Sequence, residues 1–123
     1  TELRDKTRGR IYRVVHAGKA EPRPTLTADA PETLVEALKN PNLGWRQHAQ
    51  RLLVARKKLD VQPALLKLVQ DKSVDETGLN AGAVHAIWTY SGLLGPKVVP
   101  GATREFVNAG LRHPSAAVRR AVY

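Results

Sequence analysis

Residues 38–53, LKNPNLGWRQHAQRLL, constrain the fold more than any other stretch of this chain. Pro41 cannot continue a helix and pushes Asn40 away from the helical region, so a helix ends near Leu38 and Lys39. Beyond this corner the apolar or small residues fall at Trp45, Ala49, Leu52 and Leu53, the spacing of one buried face on a second helix. The pattern is that of a helical hairpin with an Asn-Pro-Asn corner. It recurs near the C-terminus, where Leu111, Pro114, Val118 and Arg119 match Leu38, Pro41, Trp45 and Arg46 at a constant offset of 73 positions (114 minus 41). Two copies that far apart leave room for one between them. Taking Ala49, Ala86 and Val122 as equivalent inner positions gives steps of 37 (86 minus 49) and 36 (122 minus 86).

The segments between these landmarks agree with a helical reading. Thr27 or Asp29 is placed to cap a first helix, with Pro31 in its first turn, Glu32 at its positive end, and Leu34, Val35 and Leu38 as its inner stripe. A helix over 44–56 follows, then a short one over 61–69 with Pro63 in its first turn, and a polar loop from Asp71 to Gly78. Residues 79–94 carry apolar side chains around more than half a helical circumference, which predicts the central, most buried element. Gly95-Pro96 stops it, and helices over about 100–109 and from Pro114 onward complete the pattern. Residues 1–25 differ in character. RIYRVV at 10–15 reads as a short strand, and HAGKAEPRP at 16–24 reads as a linker, so a boundary is expected near residue 25. The chain accordingly divides into an extended segment over 1–25, the end of an upstream domain, and a helical domain over 26–123. Its first and last residues suggest a piece cut from a longer protein.

Composition narrows the function. Among 123 residues 42% are hydrophobic and 5% aromatic, which suits close-packed helices. There is no Cys, so disulfides, thiolate zinc sites and covalent c-type haem attachment are excluded within these residues. No apolar run of spanning length occurs, so no membrane insertion is expected. Twenty Lys and Arg against 11 Asp and Glu give a formal charge of +9, which makes an anionic partner conceivable, although the cations form no dense run.

No catalytic motif is recognisable: GxSxG, HExxH and the P-loop pattern are absent, and Ser73 and Ser91 have no identifiable base. No catalytic, cofactor-binding or metal-binding residue is therefore assigned, and the segment is expected not to be an enzyme. Of the four histidines, His48 and His85 are spaced to face one another across stacked helices, whereas His16 and His113 lie in linker and corner. Their spacing does not make a metal site. Asp75 and Glu76 are expected to cap the helix that follows. Trp45 and Trp88 are expected in the core between hairpins. Arg46 and Arg119 are expected to pair with an acidic or carbonyl group of a neighbouring hairpin; with Arg51 and Arg120 they form the candidate interaction surface.

The corner pattern of Leu, two residues, Pro, then an apolar residue followed by Arg resembles a HEAT repeat, with a step slightly shorter than the roughly 40 to 47 residues usual for such units. The middle copy departs from it, having no Pro in the 71–78 loop and Ala83 where Arg46 and Arg119 stand. The resemblance implies a short right-handed all-α solenoid, armadillo-like, of about three HEAT-like hairpins, behind an extended N-terminal segment with a short strand. GRIYRV at 9–14, NPNLGWRQHAQRLLVAR at 40–56 and HAIWTYSGL at 85–93 further resemble the junction in large secreted bacterial proteins of the membrane-bound dehydrogenase-like, haem-binding type found in planctomycetes and related bacteria. There a β-propeller ends in a GRIYRV-like strand, a HEAT segment follows, and a c-type cytochrome domain commonly lies beyond. The resemblance implies a non-catalytic protein-interaction segment, periplasmic or secreted, whose partners are neighbouring domains of the parent chain or another protein. The parent's catalytic and haem-binding residues would fall outside these 123 residues. The alternative is a nucleic-acid-binding HEAT array similar to the alkylpurine DNA glycosylases, and a third reading places the segment along the substrate cleft of the parent dehydrogenase.

Overall fold

The computed structural model describes residue 18, residues 23–95 and residues 100–123, and among them the regular structure is helical, with no strand. The strand expected over 10–15 and most of the 1–25 segment lie outside the described residues. Six α-helices follow one another: α1 (Pro31–Ala37), α2 (Leu43–Arg56), α3 (Gln62–Gln70), α4 (Ala81–Leu94), α5 (Pro100–Leu111) and α6 (Ala116–Ala121), with a 3-10 turn over Leu59–Val61 leading into α3.

Each element starts for a local reason. Pro31 opens α1 and Pro63 opens α3, where a missing N–H costs nothing. Asn42 and Asn80 cap α2 and α4, their side-chain oxygens accepting from the Gly44 and Ala83 amides at 2.8 Å each. Neither Thr27 nor Asp29 caps α1: the N-cap position falls on Ala30, whose amide donates to the Thr27 carbonyl at 3.3 Å. Pro31 already supplies the starting backbone angle, so the capping side chain is dispensable. At the far end of α2, Lys57 takes a left-handed conformation (φ 53°) and returns its amide to the Val54 carbonyl.

The helices pack in two ranks. α1 lies against α2, α3 against α4 and α5 against α6; within ranks, α4 touches both α2 and α6, while α3 touches both α1 and α5. The core runs between the ranks through Leu34, Leu38, Leu53, Leu65, Val69 and Val118, all fully buried. Removing each such leucine from water stabilises the fold by about 1.5–3 kcal/mol. α4 is the central element, as its composition predicts, with every residue from Gly82 to Ile87 buried. Its glycines set the spacing. A Cβ on Gly92 would stand 2.8 Å from Val54 Cγ2, and one on Gly82 would stand 3.0 Å from Lys39 Cγ, so α4 approaches α2 and the first corner more closely than an alanine would permit. On the other flank the rings of Tyr90 and Phe106 stack with centroids 3.9 Å apart and planes at 1°.

Arginine and asparagine staples close the interhelix corners. After α1, Arg46 Nη1 donates to the carbonyls of Asn40 (2.6 Å) and Pro41 (2.8 Å), and Asn40 Oδ1 accepts from the Asn42 amide at 2.8 Å. Before α6, Arg119 Nη1 donates to the carbonyls of His113 and Pro114 at 2.7 Å each, and His113 Nδ1 accepts from the Ser115 amide at 3.0 Å. Both arginines thus find carbonyls, as expected, but those of their own corner, because the guanidinium one turn into the helix reaches back over the chain reversal. The middle loop has no arginine. Asn80 Nδ2 donates instead to the carbonyls of Asp71 (3.1 Å) and Ser73 (2.9 Å), and Asp71 Oδ1 accepts from the Ser73 amide at 2.9 Å. This loop is also tied to the next hairpin: His113 Nε2 donates to the Asp71 carbonyl at 2.7 Å, and Lys72 Nζ donates to the Ala109 carbonyl at 2.9 Å.

Candidate interaction face

The rank made by α2, α4 and α6 is chemically unlike its opposite. Its three helices contain Arg46, Arg51, Arg56, Arg119 and Arg120 and no Asp or Glu, whereas α1 and α5 contribute Glu32, Glu36 and Glu105 to the other rank. All five arginines sit on α2 and α6. α4, lying between them, has neither Lys nor Arg, so the face has an apolar middle with cationic flanks. Arg56 is answered by Asp60 across the start of the 3-10 turn, through Nη2 to Oδ2 at 2.6 Å and Nη1 to Oδ1 at 3.1 Å. That hydrogen-bonded pairing, reinforced by charge attraction, holds the Asp60 carboxyl below the usual carboxylate range. Arg46 and Arg119 are held by corner carbonyls, which leave their charge uncompensated. Arg51 donates to His48 Nδ1 at 3.1 Å, and Arg120 is exposed.

Trp88 stands in the middle of this face. It is 49% exposed, which overturns the expectation that it belongs to the core. The reason lies in the close approach of α4 to its neighbours: Gly82 and Gly92 sit where a Cβ would crowd Lys39 and Val54, Ala83 and Ala86 are buried, and Trp88 and Ser91 lie on the exposed side. Trp45 is partly buried and lies edge-on to His48, with ring centroids 6.4 Å apart. The Trp88 indole is braced from below. His85, only 4% exposed, meets it edge-on at 5.6 Å, and His85 Nδ1 donates in turn to Gln50 Oε1 of α2 at 2.7 Å. Burial, and secondarily the nearby Arg46 charge, pushes the His85 imidazole below its ordinary pKa. His48 and His85 therefore do not face one another: His48 turns to Arg51 and Trp45, and His85 to Gln50 and Trp88.

Two depressions flank the indole. The larger, about 580 Å³, lies between α2, α4 and α6 and is bordered by Leu43, Leu79, Val84, Ala117 and Trp88, with Arg46 and Arg120 at its edges. The smaller, about 380 Å³, runs along α2 beside Gln47, Gln50, Arg51 and Val54 and shares Trp88 and His85. The structure thus brings Arg46 and Arg120 together at one groove and puts Arg51 at the other, while Arg119 serves its corner. Trp88, His85 and Gln50 were missed as components of such a face. The single available signal is that Trp88 falls in register with Ser91 and Gly92, the least apolar stripe of α4.

Among the described residues no group of three or more His, Asp or Glu side chains is placed to hold a metal ion. Asp75 does not cap α4, as Asn80 has that position. Its Oδ1 accepts instead from the Thr77 amide (2.8 Å), the Thr77 hydroxyl (2.7 Å) and the Leu79 amide (2.9 Å), and these bonds, led by the one from the hydroxyl, lower its pKa. Among the described residues no helix is long and apolar enough to cross a membrane. No family model, curated protein or solved structure matches the chain.

Proposed function

We propose that this chain is a non-catalytic interaction segment, a short HEAT-like α-solenoid whose α2–α4–α6 face holds a protein surface. The observation that carries the reading is Trp88, a large indole half exposed in the middle of a face whose outer helices, α2 and α6, carry five arginines and whose three helices carry no carboxylate. An exposed, braced aromatic beside apolar depressions is the usual make-up of an interface centre. The solenoid assignment draws on the two ranks of helices and on matching arginine staples in corners 73 positions apart (119 minus 46). In such arrays each hairpin buries its stripe only against its neighbours, and the inner rank lines a binding surface.

The parentage follows from the sequence resemblance: a HEAT segment of a periplasmic or secreted dehydrogenase-like, haem-binding protein, bracing domains of that chain. Reading the flanking gene for an upstream propeller and a downstream CxxCH tests it directly. The interaction reading is tested by titrating the domains encoded on either side against this segment by isothermal calorimetry. Saturable binding lost in Trp88→Ala supports it, and flanking domains that give no binding heat count against it.

A second reading, a nucleic-acid-binding array, is favoured by the formal charge of +9. A titration with duplex DNA at about 50 and 200 mM salt separates the two, since phosphate-driven binding collapses by orders of magnitude over that range.

A further inference from the structure

We infer that the groove between α2, α4 and α6 takes an acidic peptide segment that carries a bulky apolar side chain. This rests on the interaction reading above and adds the chemistry of the partner. The apolar part of the ligand is dictated by the walls: Leu43, Leu79, Val84 and Trp88 are among the residues lining an open groove of about 580 Å³, within the size range of sites that bury a small molecule or an anchoring side chain. Polar groups capable of reading a base edge are scarce among them, and His85 Nδ1 is already committed to Gln50. The acidic part is dictated by the flanks. Arg46 borders the groove on one side and Arg120 on the other, and no carboxylate on α2, α4 or α6 answers either.

The distribution of charge decides between a peptide and a nucleic acid strand. A duplex presents a negative charge about every 1.7 Å along its axis and is gripped by an unbroken row of cations. Here the row is interrupted by α4, which has no Lys or Arg and offers an indole instead. A peptide with a Leu, Phe or Trp between Asp or Glu residues matches an apolar middle and cationic edges position by position. The seat is organised in advance. Gln50 fixes His85, His85 fixes the Trp88 indole, and the corner carbonyls of Asn40 and Pro41 fix Arg46, so little ordering remains to be done on binding.

The test is selection of a phage-displayed random dodecapeptide library against the 123-residue chain, followed by titration of the selected peptides against variants. The expected outcome is enrichment of sequences with Asp or Glu on both sides of a bulky apolar residue. Their affinity should fall about tenfold or more in Trp88→Ala and in Arg120→Glu, and should hold in Arg104→Glu on the opposite rank. All three altered residues are exposed, so the variants remain folded, which circular dichroism verifies. Enrichment of basic or uncharged peptides that still require Trp88 would overturn the acidic assignment while leaving the interaction reading intact. Failure to select any Trp88-dependent peptide, together with silence from the flanking domains, would overturn both. Tighter binding of a dodecathymidine strand than of the best peptide would also overturn the inference.

Discussion

The corner between α1 and α2 and the corner between α5 and α6 do one job with two vocabularies, and the loop between α3 and α4 does it with a third. In the first, Asn40 supplies the side-chain acceptor for the amide two residues on, and Arg46 clamps the corner carbonyls; in the last, His113 and Arg119 do the same. In the middle, Asp71 is the acceptor and Asn80 both caps the helix and clamps the carbonyls. What is common to the three is the requirement that a chain reversal between packed helices satisfy its orphan carbonyls, and the residue type is secondary. The difference is burial. Asn40 is partly buried, and His113 is 1% exposed and reaches across to the Asp71 carbonyl, so the last corner is bonded to the middle loop as well as to itself.

The largest expected effect tests that difference. His113→Ala removes the bond to Asp71, strands the Ser115 amide and opens a void, and should lower the unfolding free energy by about 2–4 kcal/mol. Asn40→Ala, which removes only the local bond, should cost about 1 kcal/mol. Urea unfolding with unchanged slope measures both. Equal losses would mean that the corners are alike in burial as well as in pattern. Next come the clamps. Arg46→Ala and Arg119→Ala each forfeit two charge-assisted bonds to carbonyls and should each cost about 1.5–3 kcal/mol. Because the corners share no partner, the double variant should be additive to within about 0.5 kcal/mol. A much smaller loss at one arginine would break the equivalence of the two corners.

The middle loop sharpens the comparison with smaller effects. Asn80→Ala loses the helix cap and the carbonyl clamp together and should cost about 1–2 kcal/mol. Asn80→Asp keeps an acceptor for the Ala83 amide but has no donor for Asp71 and Ser73, so its loss should fall between wild type and alanine. If Asp proves as costly as Ala, the clamp, rather than the cap, is what holds this loop.

The two outer corners were legible in the sequence because their Pro and Arg recur at a fixed offset, and the middle one was not because Asn80 replaces the arginine from a different position. The helices and the inner stripe of α1 followed from periodicity. The α1 start was misplaced onto Thr27 or Asp29, since a proline at the first helical position makes a polar cap unnecessary. Trp88 was misread for a related reason. A Trp within the second helix of a hairpin is expected between hairpins, yet Gly82, Ala83 and Ala86 fill the buried positions of α4, Gly92 lies close against Val54, and the indole stands outward. Periodicity reports that a helix has a buried side; on a helix apolar nearly all round it does not report which side is buried most tightly.

The smallest expected effect concerns the same helix. His85 lies one turn below Trp88, buried, with its Nδ1 hydrogen spent on Gln50. Desolvation first, and the Arg46 charge second, hold its pKa below the ordinary value of 6.5. In the unfolded chain the imidazole takes up a proton as the pH falls through that value, while in the folded chain it stays neutral to lower pH. The unfolded state then binds more protons, so the stability that His85 provides, fully present above pH 6.5, is lost as the pH falls toward the folded-state pKa. The measurement is a difference of slopes, in which contributions common to both chains cancel: urea midpoints of wild type and His85→Gln between about pH 7.5 and 5.5. Wild type should lose more stability over that interval than the variant, whatever their absolute midpoints. Identical slopes would show that His85 is no harder to protonate folded than unfolded, and the indole above it would lose its claim to a fixed neutral support.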